Sequence, residues 1–94
     1  MRIVWSNQAA NQLEAAYDFV WKENPPAAEK LLQMIMRAVE HLVDFPQMGR
    51  PGRVKGTREL VLPDTPYIVA YRLKNRMVRI LAILHGARRW PAHL

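Results

Sequence analysis

The side chains able to do chemistry on this 94-residue chain lie mostly in its second half, and most of them are arginine. Residues 46–94 carry ten basic groups against Glu59 and Asp64, a net of +8, whereas residues 1–45 carry four against six, a net of −2. Eight of the ten are Arg, which stays charged and presents a planar fork suited to phosphate and carboxylate, so the pattern points to an anionic partner. His85 adds an imidazole that can exchange a proton near neutral pH. Counting alternate residues back along an extended segment puts Arg79 on the same face as His85, and Arg58 and Arg72 are expected to join them in one basic cluster.

What is missing narrows the chemistry further. The chain has no cysteine, which removes disulfides, thiol nucleophiles and thiolate metal sites together. Its three histidines, His41, His85 and His93, stand without acids at ligand spacing, so neither a metal nor a cofactor is expected. No window holds the roughly 18 consecutive apolar residues of a membrane span, and Met1–Trp5 is followed by polar Ser6, Asn7 and Gln8 rather than by a signal-peptide apolar core. No membrane association is expected, and the cytoplasm is the expected location.

The elements that must hold these groups can be read from spacing. Residues 1–5 form a short strand rich in β-branched and aromatic side chains. Ser6 or Asn7 can cap a helix whose apolar positions are Leu13, Ala16, Tyr17 and Val20. Asn24-Pro25-Pro26 then ends that helix and opens another, since Asn caps well and Pro suits a first turn. Ala28, Leu31, Leu32, Ile35, Val39, Leu42 and Val43 repeat with helical period, so residues 6–45 are predicted to be a helical hairpin. Residues 46–56 form a basic loop with Gly49, Gly52 and Gly56. Residues 57–85 form a three-stranded meander of Thr57–Leu62, Tyr67–Leu73 and Met77–His85, joined by short turns.

In the last strand Val78, Ile80, Ala82 and Leu84 are expected to face the core, with Arg79, Leu81, Ile83 and His85 opposite. The predicted fold class is α+β, in the order β-α-α-β-β-β, with an antiparallel sheet covered on one face by the helical hairpin. The chain reads as a single domain of residues 1–94, with 86–94 a tail lacking periodicity. Trp5 and Trp21 read as packing or interface aromatics, and the methionines as packing residues.

Four blocks in this order resemble one family: Gly49-Arg50, Gly56-Thr57-Arg58-Glu59-Leu60-Val61, Pro66-Tyr67-Ile68-Val69-Ala70-Tyr71-Arg72, and Arg79-Ile80-Leu81-Ala82-Ile83-Leu84-His85-Gly86-Ala87-Arg88. Together with the Asn24-Pro25 junction, they resemble the ParE/RelE superfamily of bacterial toxins across nearly the whole chain. The resemblance implies the toxin half of a type II toxin–antitoxin module of the plasmid-stabilising kind, neutralised in a hetero-oligomer by a cognate antitoxin.

Two activities share that fold. ParE-like members poison DNA gyrase, and RelE-like members cut messenger RNA on the ribosome. The wording of the Arg58 and His85 blocks looks closer to ParE, which implies a gyrase inhibitor whose target-facing groups are Arg53, Lys55, Arg58, Arg79, Arg88, Arg89 and Trp90, with no catalysis required of the chain. The RelE-like alternative, an mRNA endoribonuclease, would make Arg72 and His85 catalytic, with ribosome and mRNA as partners. The tyrosine that many such nucleases carry near the C-terminus has no equivalent here, since Trp90 cannot exchange a proton. A lesser alternative is a non-toxic nucleic-acid binding module.

Overall fold

The computed structural model describes residues 1–88 and residue 94. Strand β1, Arg2–Trp5, leads into helix α1, Asn7–Trp21, and helix α2, Pro25–Asp44. Both helices start on the caps that the sequence indicates. The Ser6 hydroxyl accepts from the Ala9 N–H at 3.0 Å, and the Asn24 side chain accepts from the Ala27 N–H at 3.2 Å, with Pro25 and Pro26 in the first turn. Four strands follow: β2, Arg50–Pro51; β3, Arg58–Val61; β4, Tyr67–Lys74; and β5, Met77–His85.

The five strands form one sheet in the order β1-β5-β4-β3-β2. β2 to β5 pair antiparallel, but β1 pairs parallel with β5, from Arg2 opposite Met77 to Trp5 opposite Ile80. The sheet is therefore mixed rather than antiparallel. The helical hairpin carries the chain away from β1, and β5 leaves its tight turn in the same direction as β1. That turn has Asn75 and Arg76 both at positive φ, 53° and 59°, the geometry that matches the twist of a two-residue hairpin.

The helices cover one face. Leu31, Ile35, Val39 and Leu42 of α2 and Ala9 and Ala16 of α1 pack against Val69, Tyr71, Val78, Ile80 and Ile83 of the sheet, with Ile3, Trp5 and Leu60 alongside. On the opposite face Ala70, Ala82 and Leu84 form a smaller cluster, against which Leu94 packs. No helix among the described residues is long and apolar enough to cross a membrane.

One departure from regular alternation reorganises the fold's charged face. Ala70 lies opposite Ala82 but Tyr71 lies opposite Ile80, so Leu81 has no partner across the ladder and forms a β-bulge. Helix α1 satisfies the backbone there. The Ser6 hydroxyl donates to the Leu81 carbonyl at 3.1 Å, and the Gln12 side-chain oxygen accepts from the Ile83 N–H at 2.9 Å. Val78 and Ile80 face the helices as expected, but beyond the bulge the faces exchange. Ile83 joins the helix-side core, while Ala82 and Leu84 turn outward.

Candidate functional site

The basic loop is built on three residues of the neighbouring strands. Arg58 lies opposite Tyr71 and Glu59 opposite Ala70, so alternation sends Arg58 to the helix side and Glu59 to the outer face. Arg58 Nη1 donates to the Gly49 carbonyl at 2.7 Å and to the Gln47 carbonyl at 3.3 Å. The Tyr71 hydroxyl donates to the Pro46 carbonyl at 2.7 Å and accepts from the Gly49 N–H at 2.9 Å. Burial raises the Tyr71 phenol pKa above its usual value, against a smaller lowering by the Gly49 hydrogen bond and the Arg58 charge. Gly49 has to be glycine, because a Cβ would sit 2.7 Å from the Tyr71 ring edge and hydroxyl.

On the outer face, Glu59 is only 3% exposed. One carboxylate oxygen pairs with Arg50 Nη2 at 3.1 Å and the other accepts from the Arg53 N–H at 2.8 Å. Glu59 is thus committed to the loop and is not available as a general base. Arg53 and Lys55 stand exposed on the loop that this scaffold holds.

The predicted cluster of Arg58, Arg72, Arg79 and His85 does not assemble. Arg58 points to the helix side and is spent on loop carbonyls. Arg72 and Arg79 do meet, directly across from each other on β4 and β5, and both turn outward because Tyr71, Leu73, Val78 and Ile80 turn inward. Arg79 is exposed and Arg72 half-buried, with its Nε enclosed and without an acceptor. The Arg72 guanidinium lies beside Gly56, where an added Cβ would be 3.9 Å away. His85 is on the other face. The Leu81 bulge turns it toward the helices, where its ring meets Tyr67 edge-on at 5.5 Å and its Nδ1 accepts from the Ala87 N–H at 3.2 Å.

His85 lines an open cleft of about 720 Å³ between α1 and the end of β5, with Gln12, Phe19, Tyr67, Ile83 and Arg88 among its walls. Phe19 is 58% exposed and Trp21 46% exposed at the end of α1. Arg88 stands over the Phe19 ring, 5.5 Å from its centre. Arg89 and Trp90 lie outside the described residues. Among the described residues, no three of His, Asp and Glu gather where they could hold a metal ion.

Sequence reasoning missed Tyr71, Arg50 and Gln12 as organising residues and Phe19 as an exposed aromatic. Phe19 was findable, since it falls off the apolar stripe of α1. Gln12 was not, because its partner exists only after the bulge forms.

The family model for the ParE toxin of type II toxin–antitoxin system, parDE, matches residues 3–90. Protein Y4kP of Sinorhizobium fredii, which bears a provisional toxin name, is 43% identical over 90 residues, covering 96% of this chain and 93% of its own. Toxin RelE2 of Caulobacter vibrioides is 31% identical over 87 residues, covering 93% of this chain and 97% of its own. Among solved structures, a chain of the chromosomal ParDE toxin–antitoxin system from P. aeruginosa superposes with a TM-score of 0.81 at 34% identity, over 90% of this chain and 95% of that one.

Proposed function

The chain belongs to the family of ParE toxins of type II toxin–antitoxin systems, and from that premise we propose that it acts in the cytoplasm as an inhibitor of DNA gyrase. Its partner in the module is an antitoxin. One observation favours a binding inhibitor over a nuclease: His85 stands on the helix side of the sheet, while Arg72 and Arg79 stand on the other. Cleavage of RNA at a 2′-hydroxyl needs a proton acceptor, a proton donor and cations converging on one phosphate. The bulge separates the imidazole from those cations, and Glu59 is committed to Arg50 and Arg53.

Inhibition by binding needs no such convergence. It needs an anchored cationic surface, which the loop scaffold and the outer sheet face supply, and Arg is among the residue types that dominate interface energetics. In this reading the cleft beside α1, with Phe19 and Arg88, accepts an apolar and acidic segment of the antitoxin. The relative named RelE2 keeps mRNA cleavage as the second reading.

The deciding experiment is a gyrase supercoiling assay with the purified toxin. Loss of supercoiling or accumulation of cleaved DNA, reversed by the antitoxin, is the expected result. No effect at micromolar toxin, together with mRNA cuts in a translation reaction that Arg72→Ala or His85→Ala abolishes, would transfer the function to the nuclease.

A further inference from the structure

We propose that the outer face of the sheet contacts the phosphate backbone of duplex DNA, with Arg72 and Arg79 at the centre of the contact and Arg2 and Lys74 at its flank. This rests on the gyrase reading, whose target carries duplex DNA, and gives the toxin a second component of that target to hold.

The strand register makes the patch. Arg72 of β4 faces Arg79 of β5, and in the next row Lys74 and Arg2 both lie opposite Met77, one from each side. All four share the face turned away from the helices, since their strand neighbours Tyr71, Leu73, Val78 and Ile3 pack inward. Like charges directly opposite in an antiparallel pair have Cβ atoms about 5 Å apart and repel. No carboxylate among the described residues pairs with either arginine, the outward Glu59 being taken up by Arg50 and the Arg53 N–H. The one ion pair there is Arg50 with Glu59, and none of the four side chains donates a hydrogen bond. Arg72 is held rather than free, half-buried against Gly56 with an enclosed Nε lacking an acceptor. A guanidinium fixed in that way takes its counterion from outside the chain.

The surroundings select phosphate over an acidic peptide. A peptide laid on a sheet face finds no backbone groups to pair with, because those of β4 and β5 are used in the ladder, and so it must gain its affinity from apolar burial. Between the cations and the far end of the sheet the apolar part of this face is largely taken, with Ala70 and Ala82 at 0% exposure and Leu84 at 6%; the exposed Val61 lies at the end of β3 away from Arg72 and Arg79. The exposed side chains beside Arg72 are Arg79, Lys74 and Arg2, and a phosphodiester backbone can be held by cations across a wet interface.

The test is fluorescence anisotropy of the full chain with a labelled duplex oligonucleotide across a salt series. Each phosphate contact adds about 0.9 to the slope of log affinity against log salt. The Arg72→Gln/Arg79→Gln pair is expected to lower that slope by about 1.8, and Arg79→Thr alone by about half as much, while Lys30→Gln/Arg37→Gln on α2 leaves it unchanged. Circular dichroism checks that each variant is folded; should the double variant fail to fold, Arg79→Thr, at an exposed position, carries the test. An unchanged slope in Arg79→Thr, an equal fall in the α2 variant, or displacement of the duplex by a poly-glutamate peptide at equal charge overturns the proposal. Gyrase inhibition is read separately. A toxin that inhibits gyrase without this slope change sinks the DNA contact alone, and one that shows the slope change without inhibiting gyrase sinks only the gyrase reading.

Discussion

The arginines of the loop scaffold and those of the outer sheet face are one residue type in two opposite situations. Arg58 and Arg50 have their partners inside the chain: the Gly49 and Gln47 carbonyls for one, the buried Glu59 carboxylate for the other. Arg72 and Arg79 face each other with no acceptor among the described residues. The first pair holds a loop in shape and should matter to stability. The second pair opposes the fold slightly and should matter to what the protein binds. The net charge of +6 therefore overstates the working surface, because part of it is consumed internally.

The sharpest way to break this contrast is through Tyr71, on which the scaffold converges. Tyr71→Ala empties a fully buried aromatic site and is expected to destabilise the fold by about 4 kcal/mol, read from urea denaturation. Tyr71→Phe keeps the ring but leaves the Gly49 N–H and Pro46 carbonyl unpaired, for a loss of about 2 kcal/mol. The phenylalanine variant also carries a pH signature. The folded state raises the Tyr71 pKa above 10.0, so it favours the neutral phenol. That contribution is complete below pH 10.0 and fades as the pH rises through the raised pKa. Wild-type stability should therefore fall more steeply than that of Tyr71→Phe as the pH rises above 10.0, and parallel curves would remove Tyr71 from the account.

Glu59→Gln comes next. Gln retains an acceptor for the Arg53 N–H but loses the charge that Arg50 pairs with. Because the Arg50 side chain is 56% exposed, solvent screens the pair, and the expected loss is about 1 kcal/mol rather than the several of a fully buried ion pair. Exposure of the loop should show first. Proteolysis by trypsin at Arg53 and Lys55 is expected to accelerate before the global unfolding midpoint moves, and an unaltered cleavage rate would mean that Glu59 does not hold the loop.

Much of this was legible in the sequence, and the exceptions share a cause. The helical hairpin, its Ser6 and Asn24 caps and the meander follow from local spacing and turn chemistry, and they stand as expected. The parallel placement of β1 is a tertiary choice that no local pattern encodes. The bulge is subtler. Ile80-Leu81-Ala82-Ile83-Leu84 is an unbroken apolar run, so either alternation satisfies the core and the pattern cannot say where the phase changes. That single extra residue decided which face His85 occupies, and with it the geometry of the candidate site. The charge asymmetry, by contrast, was plain in the sequence, but its division into spent and unspent arginines needed the strand register.

The smallest expected effect is the most discriminating, because its sign is reversed. Arg79→Thr places a good strand former at an exposed β5 position and removes the like charge opposite Arg72. Relief of that repulsion is worth a few tenths of a kcal/mol, about 0.5 at low salt, shrinking as salt screens the pair. A rise in the urea midpoint at 20 mM salt that disappears at 1 M would identify the outer arginines as residues kept at a cost to the fold. A fall comparable to that of Glu59→Gln would instead place Arg79 with the scaffold and dissolve the distinction. A residue whose removal stabilises the chain while weakening its hold on a partner is one retained for binding, since natural proteins commonly forgo stability at functional positions.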